Sequence, residues 1–405
     1  MALRVLILTN RVPHPLNDGG ALSMDVFLKG FPEAGCTTRL LAMNTARHRI
    51  EEALLPKIYP QLEQVVAVPV DNRIKPLPLL WNWLFGKEPY HVSRFKSDAF
   101  ARVLIAQLKD FQPQVVHIES PFLASYLPLI RQHAPAARAV LRMNNVEAEI
   151  WARLAQVEAH PLKKQYLNSL SKRMAAYERK IWPLFDAMLP ITESDAHTVA
   201  KFVPADRIRM VPFLIDTSAL QSYPLPQPFK AYHLAAMDWL PNEEAVRWAI
   251  SEVWPLLKKG VPDLELWVAG RHMPFSIAQL AGGNLHVEGE VPDAAFFLRD
   301  KAILAVPLRA GSGIRVKILE AMAAGKVVVS TRVGMQGIEV ANGVEALLAD
   351  TPVDFAAAVI SLYQNPGKAQ QIADAGRNFV TQNFDRRRAL TGLVHWLEGF
   401  NPEAQ

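Results

Sequence analysis

Short apolar runs alternate with longer amphipathic stretches from one end of the chain to the other. In the first half, the runs predicted as strands are 4–9, 39–43, 65–70, 115–118, 139–143, 187–190 and 208–211. In the second half they are 232–236, 264–269, 285–287, 302–306, 327–330 and 346–348. Helical periodicity fills the intervals, as in 243–257 and 314–324. Strands that are apolar throughout, separated by amphipathic helices, predict parallel sheets covered on both faces. This is an α/β architecture.

A chain of 405 residues exceeds one ordinary core and predicts two domains. The seam is placed at Tyr223-Pro224-Leu225-Pro226-Gln227-Pro228, because closely spaced prolines continue neither a helix nor a central strand. A surface loop within one domain is the alternative there. The predicted domains are 1–222 and 223–383, both Rossmann-like, with sheets that face each other across a cleft. Open parallel sheets bind ligands at their carboxyl edges. The last segment, 384–400, reads as a helix with an apolar stripe of Leu390, Leu393, Val394 and Leu397, able to pack on either domain.

Composition narrows the class. Half the residues are hydrophobic and a fifth are charged, as in a soluble enzyme. The net charge of +5 is small and scattered, which excludes a nucleic-acid footprint. Cys36 is the only cysteine, so no intramolecular disulfide or cysteine-built metal site is expected. No run reaches the roughly 18 apolar residues of a membrane span, and cytoplasmic residence is expected.

Most of the chemistry lies in Pro307-Leu308-Arg309-Ala310-Gly311-Ser312-Gly313-Ile314-Arg315-Val316-Lys317-Ile318-Leu319-Glu320-Ala321-Met322-Ala323-Ala324-Gly325. A strand runs into a glycine loop that opens a helix, with Ser312 as the expected N-cap. Free amides and the positive helix end suit a diphosphate. Helical spacing puts Gly313, Lys317, Glu320 and Ala324 on one stripe. There Lys317 neutralises phosphate and Glu320 accepts from ribose hydroxyls. Arg315 joins them only if the first turn is still loop. The alternative reading is a plain i, i+3 surface ion pair between Lys317 and Glu320.

This segment resembles the donor-site signature of the group-one, family-four-like retaining glycosyltransferases of the GT-B fold. Further resemblance lies in Asn17-Asp18-Gly19-Gly20, Arg142-Met143-Asn144-Asn145-Val146-Glu147, Ile191-Thr192-Glu193-Ser194-Asp195 and Val211-Pro212-Phe213-Leu214-Ile215-Asp216. It continues in Met237-Asp238-Trp239-Leu240-Pro241-Asn242 and Gly289-Glu290-Val291-Pro292-Asp293. The resemblance implies that Glu320 binds the ribose, the backbone around Val291 holds the base, and Gly19 and Gly20 approach the diphosphate. It also implies that the final helix, 384–405, returns to the first domain. Ser312 stands where the family often has a second glutamate. Asp238 and Asn242 stand where an Arg and a Lys are common, and Asn144 replaces a histidine. Lys317 and Arg315 then serve as the diphosphate clamp.

The function implied is transfer of a hexose-type sugar from a nucleotide diphosphate sugar to a glycan or lipid-linked acceptor in polysaccharide assembly. The alternatives are a GT-B sugar-nucleotide epimerase and an NAD-dependent oxidoreductase. The first strand is not followed by Gly-x-Gly-x-x-Gly, which argues against the last. The candidate catalytic residues are Lys317, Arg315 and Asn144. The candidate substrate-binding residues are Glu320, Gly311, Ser312, Gly313, Gly19, Gly20, Val291, Arg271 and His117. His117 ends a strand, where a binding role and a structural role both stand. No metal or cofactor is expected, because fixed cations and amides meet the charge of a departing diphosphate. The stretch 74–95 mixes apolar and aromatic residues with Arg73, Lys75, Lys87 and Arg94. It reads either as a loop packed between helices or as a peripheral membrane contact at the inner face.

Overall fold

The computed structural model describes residues 2–16, 18–86, 88–220, 224–311 and 313–399. The chain forms two compact units, Met1–Leu214 with Arg386–Gln405, and Ile215–Asp385. The division falls ahead of the proline-rich stretch, part of which, Tyr223, lies outside the described residues. Beyond it, Leu225 is buried in the core of the second unit and its N–H donates to Gln370 Oε1 at 3.1 Å. The stretch is therefore part of that unit's packing and not a free connector.

In the first unit, β1 (Arg4–Thr9), β2 (Thr37–Thr45), β3 (Gln64–Val70), β4 (Val115–Ile118), β5 (Arg138–Met143) and β6 (Ala187–Pro190) form one sheet. Their order is β3-β2-β1-β4-β5-β6, and every pair is parallel. Alternation assigns successive residues to opposite faces. Leu6, Leu8, Val116, Ile118 and Leu141 enter one apolar layer, while Val5, Ile7, Val115, Val140 and Leu189 enter the other. Both faces are thus buried, which is why these strands read as unbroken apolar runs.

The predicted strand 208–211 is not a strand. It runs beside β6, with the N–H groups of Arg209 and Val211 donating to the carbonyls of Met188 and Pro190. Pro190 has no N–H to return the next rung, so the ladder stops.

In the second unit, β7 (Lys230–Leu234), β8 (Glu265–Ala269), β9 (Leu285–Val287), β10 (Ile303–Val306), β11 (Val327–Ser330) and β12 (Leu347–Leu348) form a parallel sheet. Its order, β12-β11-β10-β7-β8-β9, repeats the first sheet's topology. Strand order reverses at β1/β4 in one unit and at β7/β10 in the other, the place where doubly wound sheets bind ligands. The predicted helix 243–257 is a helical run, Leu240–Trp248 and Trp254–Gly260, joined by a widened π-helical turn at Ala249–Val253. Pro255 supplies the cause, since it lacks one N–H and crowds the preceding turn.

The final helix, Arg386–Gly399, packs on the first unit beside the helix Gly19–Glu33. Leu390, Leu393, Val394 and Leu397 are buried with Phe27 and Phe31. The two helices approach so closely that a Cβ on Gly30 would lie 2.8 Å from Leu390 Cγ. Arg386 pairs with Glu33 at 2.6 Å.

Candidate functional site

β10 ends at Val306 and the next helix, Val316–Ala323, begins ten residues later. Gly311 has φ 113° and Gly313 has φ 89°, conformations that L side chains rarely adopt. A Cβ at Gly311 would also come within 2.7 Å of the Trp239 ring. The helix therefore starts at Val316 and not at Ile314. Its N-cap is Arg315, with extended backbone, and not Ser312, which lies outside the described residues. Gly313 accordingly falls off the expected helical stripe.

This late start decides where Arg315 goes. Still in the loop, it is buried, its Nη1 donates to Gly313 O at 2.6 Å, and its guanidinium lies 5.2 Å from the Trp239 ring centroid. Lys317, half-buried in the first turn, directs Nζ to the carbonyl of Leu234 at the end of β7, 3.4 Å away. Its pKa is pushed down to about 7, first by burial and then by the positive charge of Arg315. Lys317 and Glu320 form no ion pair among the described residues. Glu320 stands exposed on the helix, and desolvation by the surrounding protein raises its pKa above the ordinary carboxylate value. The positive charges of Arg315 and Lys317 thus lie close enough for each to act on the other.

His233, in β7, is not among the candidate residues that the sequence offers. It is buried, and its Nδ1 faces the carbonyl of Ala305 in β10 at 2.8 Å. A carbonyl only accepts, so Nδ1 carries the proton and Nε2 offers a lone pair. Nε2 is buried with no partner among the described residues. Burial, and next the charge of Lys317, push the ring's pKa down to about 3, so it is neutral at any physiological pH. A histidine in an otherwise apolar central strand was the available signal.

The other loops at this sheet edge are stitched together by backbone bonds. Met237 N–H donates to Arg271 O at 2.9 Å, and Gly270 N–H donates to Gly289 O at 2.9 Å. Asn242 holds Ala236 O through Nδ2 at 2.8 Å and turns no charge outward. Arg271 is exposed, and Val291 is half-buried in the loop after β9. The loops following β7, β8 and β9 are thus joined to one another by backbone bonds.

In the first unit, Gly19 and Gly20 are not a glycine loop. They open the helix Gly19–Glu33, capped by Asp18, whose Oδ1 accepts from Ala21 N at 2.9 Å. Asp18 also binds the Arg11 guanidinium, which holds its pKa down to about 2. Asn17 lies outside the described residues.

His117 is fully buried, with Nε2 2.7 Å from Glu119 Oε1 and its ring stacked 4.6 Å from that of Phe27. Arg142, fully buried, donates to Val211 O and to Ser23 Oγ, each at 3.1 Å, and burial pushes its pKa down to about 10. Ser23 Oγ in turn donates to Oδ1 of Asn144, 2.9 Å away. Asn144 is half-buried at the end of β5. Among the described residues, no cluster of three or more His, Cys, Asp or Glu side chains suits a metal ion.

The comparisons with known proteins agree across both units. Residues 18–219 match the family described as Glycosyltransferase Family 4, and residues 229–365 match Glycosyl transferases group 1. The chain belongs to the group 1, family 4-like glycosyltransferases. Its fold is that of the GT-B glycosyltransferases. Sucrose-phosphate synthase from Thermosynechococcus elongatus is 12% identical with a TM-score of 0.65, each chain covered to 98%. HepE of Anabaena, solved in complex with UDP, is 10% identical with a TM-score of 0.64, covering 98% of this glycosyltransferase and 100% of HepE. An uncharacterised 44.6 kDa protein in the cps region of Klebsiella pneumoniae is 23% identical, over 96% of this glycosyltransferase and 98% of that protein.

Proposed function

We propose that this glycosyltransferase moves a hexose-type sugar from a nucleoside diphosphate sugar to a glycan or lipid-linked acceptor in polysaccharide assembly, with retention at the anomeric carbon and without a metal. The observation that carries the reading is the pairing of Arg315 and Lys317 beside the Gly311–Gly313 turn, at the β7/β10 switch point. When the anomeric C–O bond breaks, both electrons and the negative charge go to the diphosphate. Two fixed cations stabilise that charge more than they stabilise the bound donor. The acceptor oxygen forms the new bond to the anomeric carbon, and its proton passes to a diphosphate oxygen. Glu320 accepts from the ribose hydroxyls, and the loop around Val291 holds the base. The complex of HepE with UDP-glucose makes UDP-sugars the first donors to test. We place the enzyme in the cytoplasm, peripheral at the inner face of a membrane.

A thermal-shift screen of nucleotide sugars tests this reading. One donor should raise the melting temperature of the native chain, and Lys317→Ala and Glu320→Ala should each abolish most of that rise. Equal shifts in all three proteins would mean that the nucleotide binds elsewhere.

A further inference from the structure

The segment 74–95, expected as a loop packed between helices or as a membrane contact, contains a well-formed helix, Pro76–Phe85, with an uncovered apolar face. Its prolines do not break it, because Pro76 and Pro78 sit in the first turn, where the missing N–H has no helical partner. Leu79, Asn82, Trp83 and Gly86 are half-buried and form the inward side. Arg173, on the neighbouring helix Pro161–Ile181, donates to Asn82 O at 2.9 Å, and Trp83 meets Tyr166 edge-on at 5.6 Å. The outward side is as apolar as the inward one. Leu77 is 80% exposed, Trp81 69% and Phe85 67%, with Leu80 and Leu84 between them. These line an open groove of about 780 Å³. The helix has no charged residue. A helix apolar on every side is normally covered on every side, and this one is not.

The charge around it identifies the cover. Arg73 and Lys75 precede the helix, both exposed and both paired with Asp71, at 2.8 and 3.3 Å, which leaves one net positive charge there. The helix behind it carries Lys164, Lys172, Arg179 and Lys180 on its exposed surface, beside Lys163, which pairs with Glu158, and its one acid, Glu178, is buried. Exposed leucines and aromatics on one helix, with basic residues on the helix it packs against, are complementary to an anionic bilayer, where rings enter the headgroup boundary and ammonium groups meet phosphate. No helix among the described residues is long and apolar enough to cross a membrane, so the contact lies on the surface. We propose that Pro76–Phe85 docks this protein on an anionic lipid surface, with Leu77, Trp81 and Phe85 inserted and the basic helix Pro161–Ile181 bearing on the headgroups. This gives an element and a lipid chemistry to the peripheral placement proposed above, and its test needs no sugar donor.

The test is co-sedimentation of the full chain with vesicles of phosphatidylcholine alone and of phosphatidylcholine mixed with phosphatidylglycerol. The native chain should pellet with the mixed vesicles and release as salt is added. The double variant Trp81→Glu/Phe85→Glu should lose at least about tenfold in partitioning, since two large apolar side chains leave the interface. Lys164→Glu/Lys172→Glu should lose affinity only for the anionic vesicles. All four positions are exposed, so melting temperatures should match the native chain and separate lost docking from lost folding. Equal pelleting of native chain and aromatic variant would overturn the proposal, as would failure of the native chain to bind either vesicle. A dimer in light scattering that Trp81→Glu/Phe85→Glu dissociates would assign the face to a second copy instead.

Discussion

Lys317 has a folded-state pKa near 7 against an ordinary 10.5, depressed by burial and then by Arg315. The unfolded chain holds that proton between these two values and the folded chain does not. Stability from this group therefore rises with pH across that window. A bound diphosphate reverses the local balance, because an anion favours the charged lysine. Binding should then take up a proton above pH 7. We predict that UDP affinity weakens with rising pH above about 7, by up to about tenfold per unit, and that Lys317→Met flattens this dependence. Calorimetry in buffers of different ionisation enthalpy measures the proton uptake directly. An unchanged slope in the variant would remove Lys317 from the site. His233, with its pKa near 3, contributes nothing in this range.

At the scale of elements, the helix Glu147–Val157 has no side-chain cap of its own at Val146. Glu178 of the neighbouring helix supplies one, accepting from the N–H groups of Glu147 at 2.8 Å and Ala148 at 3.1 Å. Burial pushes the Glu178 carboxyl up to about 7 despite those bonds. Its folded pKa lies above the ordinary 4.5, so the folded state loses stability as pH rises from 4.5 to 7. Glu178→Gln, which keeps an acceptor, should reduce the fall in melting temperature across that interval. Glu178→Ala leaves two amides uncapped and should cost about 1–3 kcal/mol, read from the denaturation midpoint. The helix that carries Glu178 also packs against the exposed Pro76–Phe85 helix through Arg173 and Tyr166, so a loosened cap would also loosen the surface on which that helix rests.

The whole molecule is two units with one topology, and the chain ends share the first of them. That sharing depends on a stripe buried against Phe27 and Phe31. Leu390→Ala should cost about 2–5 kcal/mol of local stability, because Gly30 holds the backbone too near for the gap to fill from that side. Hydrogen exchange should quicken in the helix Gly19–Glu33 and stay unchanged in β7, β10 and β11. Faster exchange in the second unit's strands would mean that the final helix stabilises more than the unit it packs on.

The amino-acid sequence by itself determined the two parallel sheets, because strands buried on both faces are written as apolar runs such as Val327-Val328-Val329. It also determined that a glycine turn would precede a helix bearing Lys317 and Glu320. It did not determine where that helix starts. Positive φ at Gly311 and the ring of Trp239, which comes from a distant loop, delay it to Val316 and keep Arg315 in the turn. Nor did local signals locate the unit boundary, which the contact of Ile215 with Phe384 and Asp385 decides. Periodicity records which side of an element avoids water. Only tertiary structure decides which charges, desolvated together, become a site, and which apolar side, as in Pro76–Phe85, is left without protein to cover it.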